Sequence, residues 1–167
     1  MMTLRECMQS TTVSIILALA SATAALAGSQ EERRRLTPSD IAAMAKSGAG
    51  AGTSGVSGIQ TTVLSGDPTA AGPYTIALRV PAHMKIAAHT HRDDRAAVVI
   101  SGVWFFGYGS SADETEVKAL EPGSFYTEPA DAPHFAMTRD EPAVVYITGF
   151  GPTDTHYIDA AADPRRP

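Results

Sequence analysis

The sequence predicts an all-β domain, a sandwich or a barrel, over residues 59–160. Short segments rich in β-branched and aromatic residues alternate there with turn signals built on Gly, Pro and Asp. These segments recur about every 8–12 residues, which is typical of sandwiches and barrels. No apolar pattern of period 3.6 interrupts them, so no helix is predicted within the domain. The whole chain has 167 residues, the size of one domain.

Residues 1–27 have the pattern of a secretory signal peptide. A weakly charged start precedes an apolar run that begins at Val13 and ends in Ala25-Leu26-Ala27. A membrane anchor is the competing interpretation, but an anchor needs about 20 strongly apolar residues, and Ser, Thr and Ala dilute this stretch. We expect cleavage after Ala27, a periplasmic or secreted location, and no membrane association of the mature protein.

Residues 28–58 are expected to form a short helix and a flexible linker outside the barrel. Thr37 can cap a helix over residues 41–46, and Asp40 lies favourably near the positive end of its dipole. Between residues 48 and 58, five of eleven residues are Gly and most others are Ser, Thr or Ala. This composition predicts a flexible linker. A phosphate-binding loop would need a Lys-Ser/Thr ending, which is missing.

Ten strands are predicted, and the turn signals between them set their ends. The predicted strands are 59–64, 74–80, 85–88, 96–100, 103–108, 117–120, 124–127, 134–138, 144–148 and 156–158. A segment of this length can enclose its own hydrophobic core. The barrel is therefore expected to span residues 59–160, with a C-terminal tail over residues 161–167.

Composition and charge narrow the chemistry. The chain is 44% hydrophobic and 19% charged, which excludes collagen, coiled coils and proteins with several membrane spans. Its formal net charge is −5, so no nucleic-acid partner is expected. The single cysteine, Cys7, lies in the predicted signal peptide, so neither a disulfide nor a cysteine metal cluster is expected. The site must come from the five His residues and the carboxylates.

Two histidines, His89 and His91, are separated by one residue. On a strand both would project to the same face, about 7 Å apart at the backbone. Such a pair alone is more often a solvent-exposed coincidence, but His134 opens a distant predicted strand after a tightly turned connection. Neutral imidazoles suit Zn, Fe, Ni and Cu. The three residues therefore predict a site for a divalent transition metal.

Two segments around these histidines resemble the two characteristic motifs of the cupin family. The residues that carry the resemblance are His89, His91 and Gly102 for the first motif and Gly123, Pro129 and His134 for the second. The likeness extends over residues 59–158. It implies a small single-domain cupin with a double-stranded β-helix, or jelly-roll barrel, and with metal ligands at the three histidines. It also implies a homodimer that pairs through its sheets.

The sequence departs from the cupin pattern at three positions. The fourth ligand should be a Glu at position 95, where this chain has Arg95; Asp131 stands where Gly is usual, and Thr138 where Asn is usual. A guanidinium has no lone pair to offer a metal. Three outcomes stay open: a three-histidine site completed by water or substrate, a site in which Asp93 or Asp94 replaces the Glu, and a site without metal that binds a small ligand by hydrogen bonds.

Arg95 allows two interpretations. It can pair at the barrel rim with carboxylates, of which Asp93, Asp94 and Glu128 are the candidates. Alternatively, its guanidinium can bind a substrate carboxylate or phosphate as a bidentate fork. Most exposed ion pairs are ordinary surface features, which favours the first interpretation.

Aromatic stripes mark the expected wall of the barrel. They consist of Trp104, Phe106 and Tyr108 on one predicted strand and of Tyr146, Thr148 and Phe150 on another. Such stripes are typical of an inner wall, and Tyr126 leads towards the second motif as a polar candidate. The residues expected to line a substrate pocket are Arg95, Trp104, Phe106, Tyr126 and Tyr146.

The sequence thus predicts an exported cupin-type protein that binds a divalent transition metal (Fe, Zn, Mn or Ni) inside the barrel and takes a small-molecule ligand. A metal-dependent oxygenase acting on a small organic molecule is one candidate, because open positions on a metal can hold two reactants together. Tyr126 and Glu128 would be its candidate acid–base groups. A non-catalytic metal sensor or small-ligand binding module is the other candidate, and a barrel closed to solvent would favour it.

Overall fold

A computed structural model describes residues 33–48 and 50–166. The predicted signal peptide, with Cys7, lies outside the described residues. Within the described ranges, no helix combines the length and the apolar character that a bilayer crossing requires.

Strands dominate the described part of the chain. Helix α1 covers Pro38–Ala43 and a 3₁₀ helix covers Ala160–Ala162. The strands are β1 (Ser47–Gly48), β2 (Gln60–Ser65), β3 (Gly72–Val80), β4 (Lys85–Thr90), β5 (Arg95–Ser101), β6 (Trp104–Tyr108), β7 (Lys118–Leu120), β8 (Phe125–Glu128), β9 (His134–Met137), β10 (Ala143–Gly151) and β11 (His156–Tyr157). All ten predicted strands are present with ends within three residues of the prediction, and β1 is an addition to them.

The strands form two antiparallel sheets that enclose one core. The six-stranded sheet has the order β1-β2-β3-β10-β5-β8, and the five-stranded sheet has the order β11-β4-β9-β6-β7. Side chains from both sheets meet in a single hydrophobic cluster that includes Ile76, Val99, Trp104, Phe106 and Val145. The predicted all-β jelly-roll architecture is confirmed.

Helix α1 packs on the outer face of the six-stranded sheet. It begins with a capping box, in which the Thr37 hydroxyl accepts from the backbone N–H of Asp40 and the Asp40 carboxylate accepts from the backbone N–H of Thr37. Its one buried side chain, Ile41, contacts β2 and β3. The helix ends three residues earlier than predicted, because the chain turns to form β1, which pairs with β2.

Residues 51–58 differ from the flexible linker that their composition predicts, because they pack against the barrel. Ser54 is buried, and the Tyr157 hydroxyl donates to its carbonyl oxygen at 2.6 Å. Gly52 has a φ of +83°, and a Cβ atom there would lie 2.5 Å from Cδ1 of Ile76. Gly52 therefore serves a left-handed backbone and a close approach to the core rather than mobility.

The inward face of β10 is the opposite of the predicted one. Val145 and Ile147 fill the core, whereas Tyr146 lies half-buried beside helix α1 on the outer face and Phe150 is 64% exposed. The placement of Tyr146 in the pocket is therefore wrong. A strand covered by the core on one face and by a helix on the other carries apolar residues on both faces, so aromatic alternation alone does not identify the inner one.

Two substitutions on β10 test this assignment of faces. Ile147→Ala is expected to lower the free energy of unfolding by about 2–5 kcal/mol, because it leaves a cavity in the core. Phe150→Ala should change it by less than about 0.5 kcal/mol, because most of that side chain is already in water. Urea denaturation followed by tryptophan fluorescence measures both values. Equal losses for the two variants would contradict the observed register.

Candidate metal centre

Three histidines converge inside the barrel because two neighbouring strands carry them. His89 lies on β4 and is the direct partner of His134, the first residue of β9. His91 follows β4 by one residue, so its side chain points to the same side as that of His89. The ring centroids lie 4.8 Å apart for His89 and His91, 4.4 Å for His89 and His134, and 5.1 Å for His91 and His134.

Each imidazole is held by a main-chain carbonyl group. The Nδ1 atom of His89 donates to the carbonyl oxygen of Ala87 at 2.7 Å, and that of His134 donates to Ala132 at 3.0 Å. His91 donates from Nδ1 to the carbonyl oxygen of Asp154. A carbonyl oxygen only accepts, so the proton of each neutral ring sits on Nδ1 and the lone pair is on Nε2. Metal-binding histidines are typically oriented in this way.

The donor set fits a divalent transition metal. The ligand nitrogens of the three histidines lie within 4.8 Å of one another. A bond from imidazole to zinc is about 2.0–2.1 Å, so a small contraction brings all three onto one ion. The Nε2 atom of His134 is buried and has no hydrogen-bond partner in the part of the chain that the structure describes. An unpartnered buried lone pair is costly in the folded protein, and a metal ion would satisfy it.

Burial keeps the three rings neutral. It lowers the pKa of His89 to about 3, with repulsion from His134 as the next cause. Burial also lowers the pKa of His91, and the Arg95 guanidinium lowers it further. The pKa of His134 is lowered in the same way, although Glu128 opposes the shift. A metal therefore competes with no proton at these nitrogens at neutral pH.

Arg95 points into the centre and not to the rim. Its side chain is 3% exposed and forms an ion pair with Glu128, which is 5% exposed. The guanidinium also donates from Nη2 to Nε2 of His91 at 2.5 Å. Burial raises the pKa of the Glu128 carboxyl, but the attraction and the hydrogen bond of Arg95, together with the neighbouring histidines, outweigh burial, so the pKa is lowered. The pair is therefore charged, and the expected partner Glu128 is confirmed at a buried rather than an exposed position.

Neither neighbouring aspartate replaces the missing Glu ligand. Asp93 is buried, where it accepts hydrogen bonds at 2.7 Å from the hydroxyls of Tyr74 and Thr153. Gly149 makes room for this contact, because a Cβ atom there would lie 2.5 Å from Asp93 Oδ2. Asp94 is exposed and accepts from the backbone N–H of a loop residue. The alternative in which either residue joins the metal site is wrong for this structure.

Aromatic side chains form the floor of the centre. Phe106 stacks on His134 with ring centroids 5.5 Å apart and lies 4.3 Å from the ring of Tyr126. The Tyr126 hydroxyl and the Trp104 Nε1 atom are buried, and neither has a hydrogen-bond partner among residues 33–48 and 50–166. Phe106, Tyr126 and Trp104 therefore surround the interior as predicted, whereas Tyr108 is 54% exposed on the outside.

Residues distant in sequence cover the centre. The Ser54 hydroxyl lies 3.5 Å from His89 Nε2, and the Tyr157 ring lies 5.6 Å from the His89 ring. The carbonyl group of Asp154 holds His91 from the other side. Sequence analysis missed these contacts, because a main-chain carbonyl group and a small hydroxyl in a Gly-rich segment carry no motif. The three histidines are 1–2% exposed as a result.

Similarity to known proteins is visible in structure and not in sequence. No protein-family model and no curated protein sequence matches the chain. The polyketide cyclase RemF from Streptomyces resistomycificus aligns with a TM-score of 0.60 and 16% identity over 80% of this chain and 90% of that chain. An RmlC-like cupin from Shewanella frigidimarina aligns with a TM-score of 0.53 and 13% identity over 72% and 93%. The chain spans about half of a DMSP lyase from Ruegeria pomeroyi, with 56% of this chain and 47% of that chain aligned at a TM-score of 0.48 and 18% identity.

The similarities to RemF and to the RmlC-like cupin, together with the sheet topology, define the chain as a cupin-fold protein. Its jelly-roll barrel carries a cluster of His89, His91 and His134 that could hold a metal ion. At identities of 13% and 16%, the likeness concerns the fold, and the function follows only from the site itself.

The metal-free protein is expected to lose stability as pH falls from 8 to 5. In the unfolded chain His89 takes up a proton near pH 6.5, whereas in the folded chain it does so near pH 3. Between these values the unfolded state binds more protons, so acid favours unfolding. Urea midpoints after treatment with a chelator measure the effect.

Two variants separate His89 from other titrating groups. His89→Gln should show a smaller loss of stability between pH 8 and pH 5 than the unchanged protein. His156→Gln is the control, because the His156 side chain is 72% exposed, and it should follow the unchanged protein. Parallel pH profiles for all three proteins would show that His89 is not held neutral by burial.

Proposed function

We propose that this protein binds one divalent transition metal ion through Nε2 of His89, His91 and His134. The main observation behind this proposal is that three buried imidazoles each donate a hydrogen bond from Nδ1 to a main-chain carbonyl oxygen. That arrangement brings three ligand nitrogens within 4.8 Å of one another, and among the described residues the Nε2 atom of His134 has no hydrogen-bond partner. Fe, Zn, Mn and Ni are the candidate ions, because imidazole nitrogen suits several metals and supply decides among them.

When bound, the ion would supply Lewis acidity and, for iron, redox chemistry. The residues of the chain do the rest of the work. The three carbonyl groups orient the imidazoles, and Phe106 of the hydrophobic core stacks on His134. Glu128 brings one negative charge within 4 Å of two of the rings. Burial raises the pKa of the Tyr126 hydroxyl, as does the charge of Glu128, so Tyr126 holds its proton at neutral pH.

The enclosure of the centre favours a non-catalytic role in metal binding or sensing. Each of the three histidines is 1–2% exposed, and Ser54 and Tyr157 lie over His89. A substrate would need one of these groups to move. An oxygenase acting on a small organic molecule is the second candidate, and it is favoured by two groups beside the histidines that can hold or move a proton, Tyr126 and Glu128.

Export and self-association remain proposals. The signal-peptide pattern of residues 1–27 supports a periplasmic or secreted location.

We also propose a homodimer, which apolar side chains on the outer face of β5 and β8 support. On this face the side chains of Val98, Ile100 and Phe125 are 37%, 41% and 63% exposed, respectively, and Val98 is the direct cross-strand partner of Phe125. Light scattering of the purified mature protein distinguishes a dimer from a monomer.

Elemental analysis tests metal binding directly. Protein purified from its natural compartment is expected to contain about one transition metal ion per chain, because the three nitrogens form a single metal site. His134→Ala should reduce the content to well below one, because it removes one of the three imidazoles that define the site. His156→Ala removes an exposed histidine and should leave the content unchanged. Metal-free native protein, or equal content in both variants, would contradict the proposal.

Water access distinguishes the two candidate roles. If the centre is closed, protein loaded with Mn²⁺ should raise the relaxation rate of bulk water protons only slightly, because no exchanging water reaches the ion. A large increase would show an accessible coordination position and would favour the oxygenase. The same protein loaded with diamagnetic Zn²⁺ and free of Mn²⁺ gives the baseline of the measurement.

A further inference from the structure

The charged pair of Arg95 and Glu128 occupies the place where the cupin pattern has a single carboxylate. The two residues are direct partners in the antiparallel ladder of β5 and β8. Both side chains point inward, with exposed fractions of 3% and 5%. The chain therefore has Arg at the usual ligand position and a Glu directly opposite it on the neighbouring strand.

Glu128 lies close enough to the histidines to join them. Its Oε2 atom is 3.8 Å from Nε2 of His91 and 3.7 Å from Nε2 of His134. These nitrogens are two of the three that would hold the ion. A carboxylate oxygen bound to zinc lies about 2.0–2.2 Å from it, so an oxygen and a nitrogen on one ion are separated by less than about 4.3 Å. Both distances already satisfy this limit.

Arg95 holds two atoms that a metal would need. Its Nη2 atom donates to the lone pair of His91 Nε2, and its Nε atom donates to Glu128 Oε2 at 2.5 Å. One lone pair cannot accept an N–H and bind a cation at the same time. Without an ion, the Arg95 guanidinium is therefore the positive charge next to His91 and Glu128. A metal ion must displace the guanidinium from His91 Nε2 before it can bind there.

We propose that Glu128 is the fourth ligand, a carboxylate delivered from β8 instead of β5, and that Arg95 is an internal cation that competes with the metal for His91. This inference rests on the proposed function, because it concerns the same ion. In the metal-free protein Arg95 keeps Glu128 charged and turned towards the histidines, and a bound ion would take over that role from Arg95. Because Arg95 and Glu128 are cross-strand partners, the centre contains a carboxylate even though position 95 is not a Glu.

Four proteins test the proposal: the unchanged chain, Arg95→Met, Glu128→Gln, and the double variant Arg95→Met/Glu128→Gln. Each single variant leaves one buried charge unpaired, which is destabilising, whereas the double variant removes both charges, and replacement of a buried ion pair by neutral groups is often tolerated. If a single variant does not fold, the comparison of the unchanged protein with the double variant decides the outcome. Zn²⁺ affinity is measured by competition with a chelator, and circular dichroism monitors folding. Glu114→Gln, which alters an exposed pair with Lys85, is the matched control.

Arg95→Met should bind Zn²⁺ at least about tenfold more tightly than the unchanged protein, because the competing cation is gone. The double variant should bind Zn²⁺ more than about 100-fold more weakly than Arg95→Met. Removal of a residue that only supports a metal ligand costs about 10–100-fold in affinity, and removal of a ligand should cost more. Infrared difference spectra of protein with ¹³C-labelled Glu should show a carboxylate band that shifts on Zn²⁺ addition and is missing in Glu128→Gln.

Three results would overturn the inference. Equal affinity of Arg95→Met and the double variant would show that Glu128 is no ligand, while metal binding by the histidines stands. Weaker binding without a shifted carboxylate band would place Glu128 outside the ligand set. Absence of Zn²⁺ binding in the unchanged protein and in Arg95→Met would instead overturn the proposed function and this inference with it.

Discussion

The site depends on three hydrogen bonds from imidazole Nδ1 atoms to main-chain carbonyl oxygens. A neutral histidine can carry its proton on either nitrogen, and each carbonyl group selects Nδ1. Because the carbonyl groups belong to Ala87, Ala132 and Asp154, the orientation of the rings is set by the backbone of the barrel and not by other side chains. Convergence of the three lone pairs is therefore a consequence of the fold, which pairs His89 with His134 in one ladder.

The low dielectric of the interior makes this arrangement demanding. A buried lone pair without a partner is costly, and a buried charge is costly unless it is paired. The buried charges of Arg95 and Glu128 are paired with each other. By contrast, His134 Nε2 and the Tyr126 hydroxyl are buried without a hydrogen-bond partner among the described residues. A buried unsatisfied polar group in a native structure needs an explanation, and a bound ion would supply one for His134 Nε2.

Sequence patterns were sufficient for the strands and for the histidines. Turn residues and β-branched segments repeat clearly along the chain, and the one-residue spacing of His89 and His91 combines with strand geometry to give a shared face. The face of β10 was not predictable in the same way. Apolar residues occupy both of its faces, and only the packing of helix α1 beside Tyr146 shows which one is external.

Other parts of the site depend on pairing across the chain and leave no local signal. The ladder of β5 and β8 decides that Glu128 faces Arg95, and a shift of one residue in its register would turn the two side chains to opposite faces. The covering of His89 by Ser54 comes from a Gly-rich segment whose composition indicates mobility. In that segment the glycines serve left-handed turns and close packing. Composition alone does not distinguish these uses of Gly.

The most direct test of a shared metal centre is a crystal structure with anomalous diffraction collected at the absorption edge of the metal found in the purified protein. We expect one strong anomalous peak inside the barrel, about 2.0–2.3 Å from the Nε2 atoms of His89, His91 and His134. A barrel without such a peak, or a peak only at surface residues such as His156 and Asp154, would contradict the account.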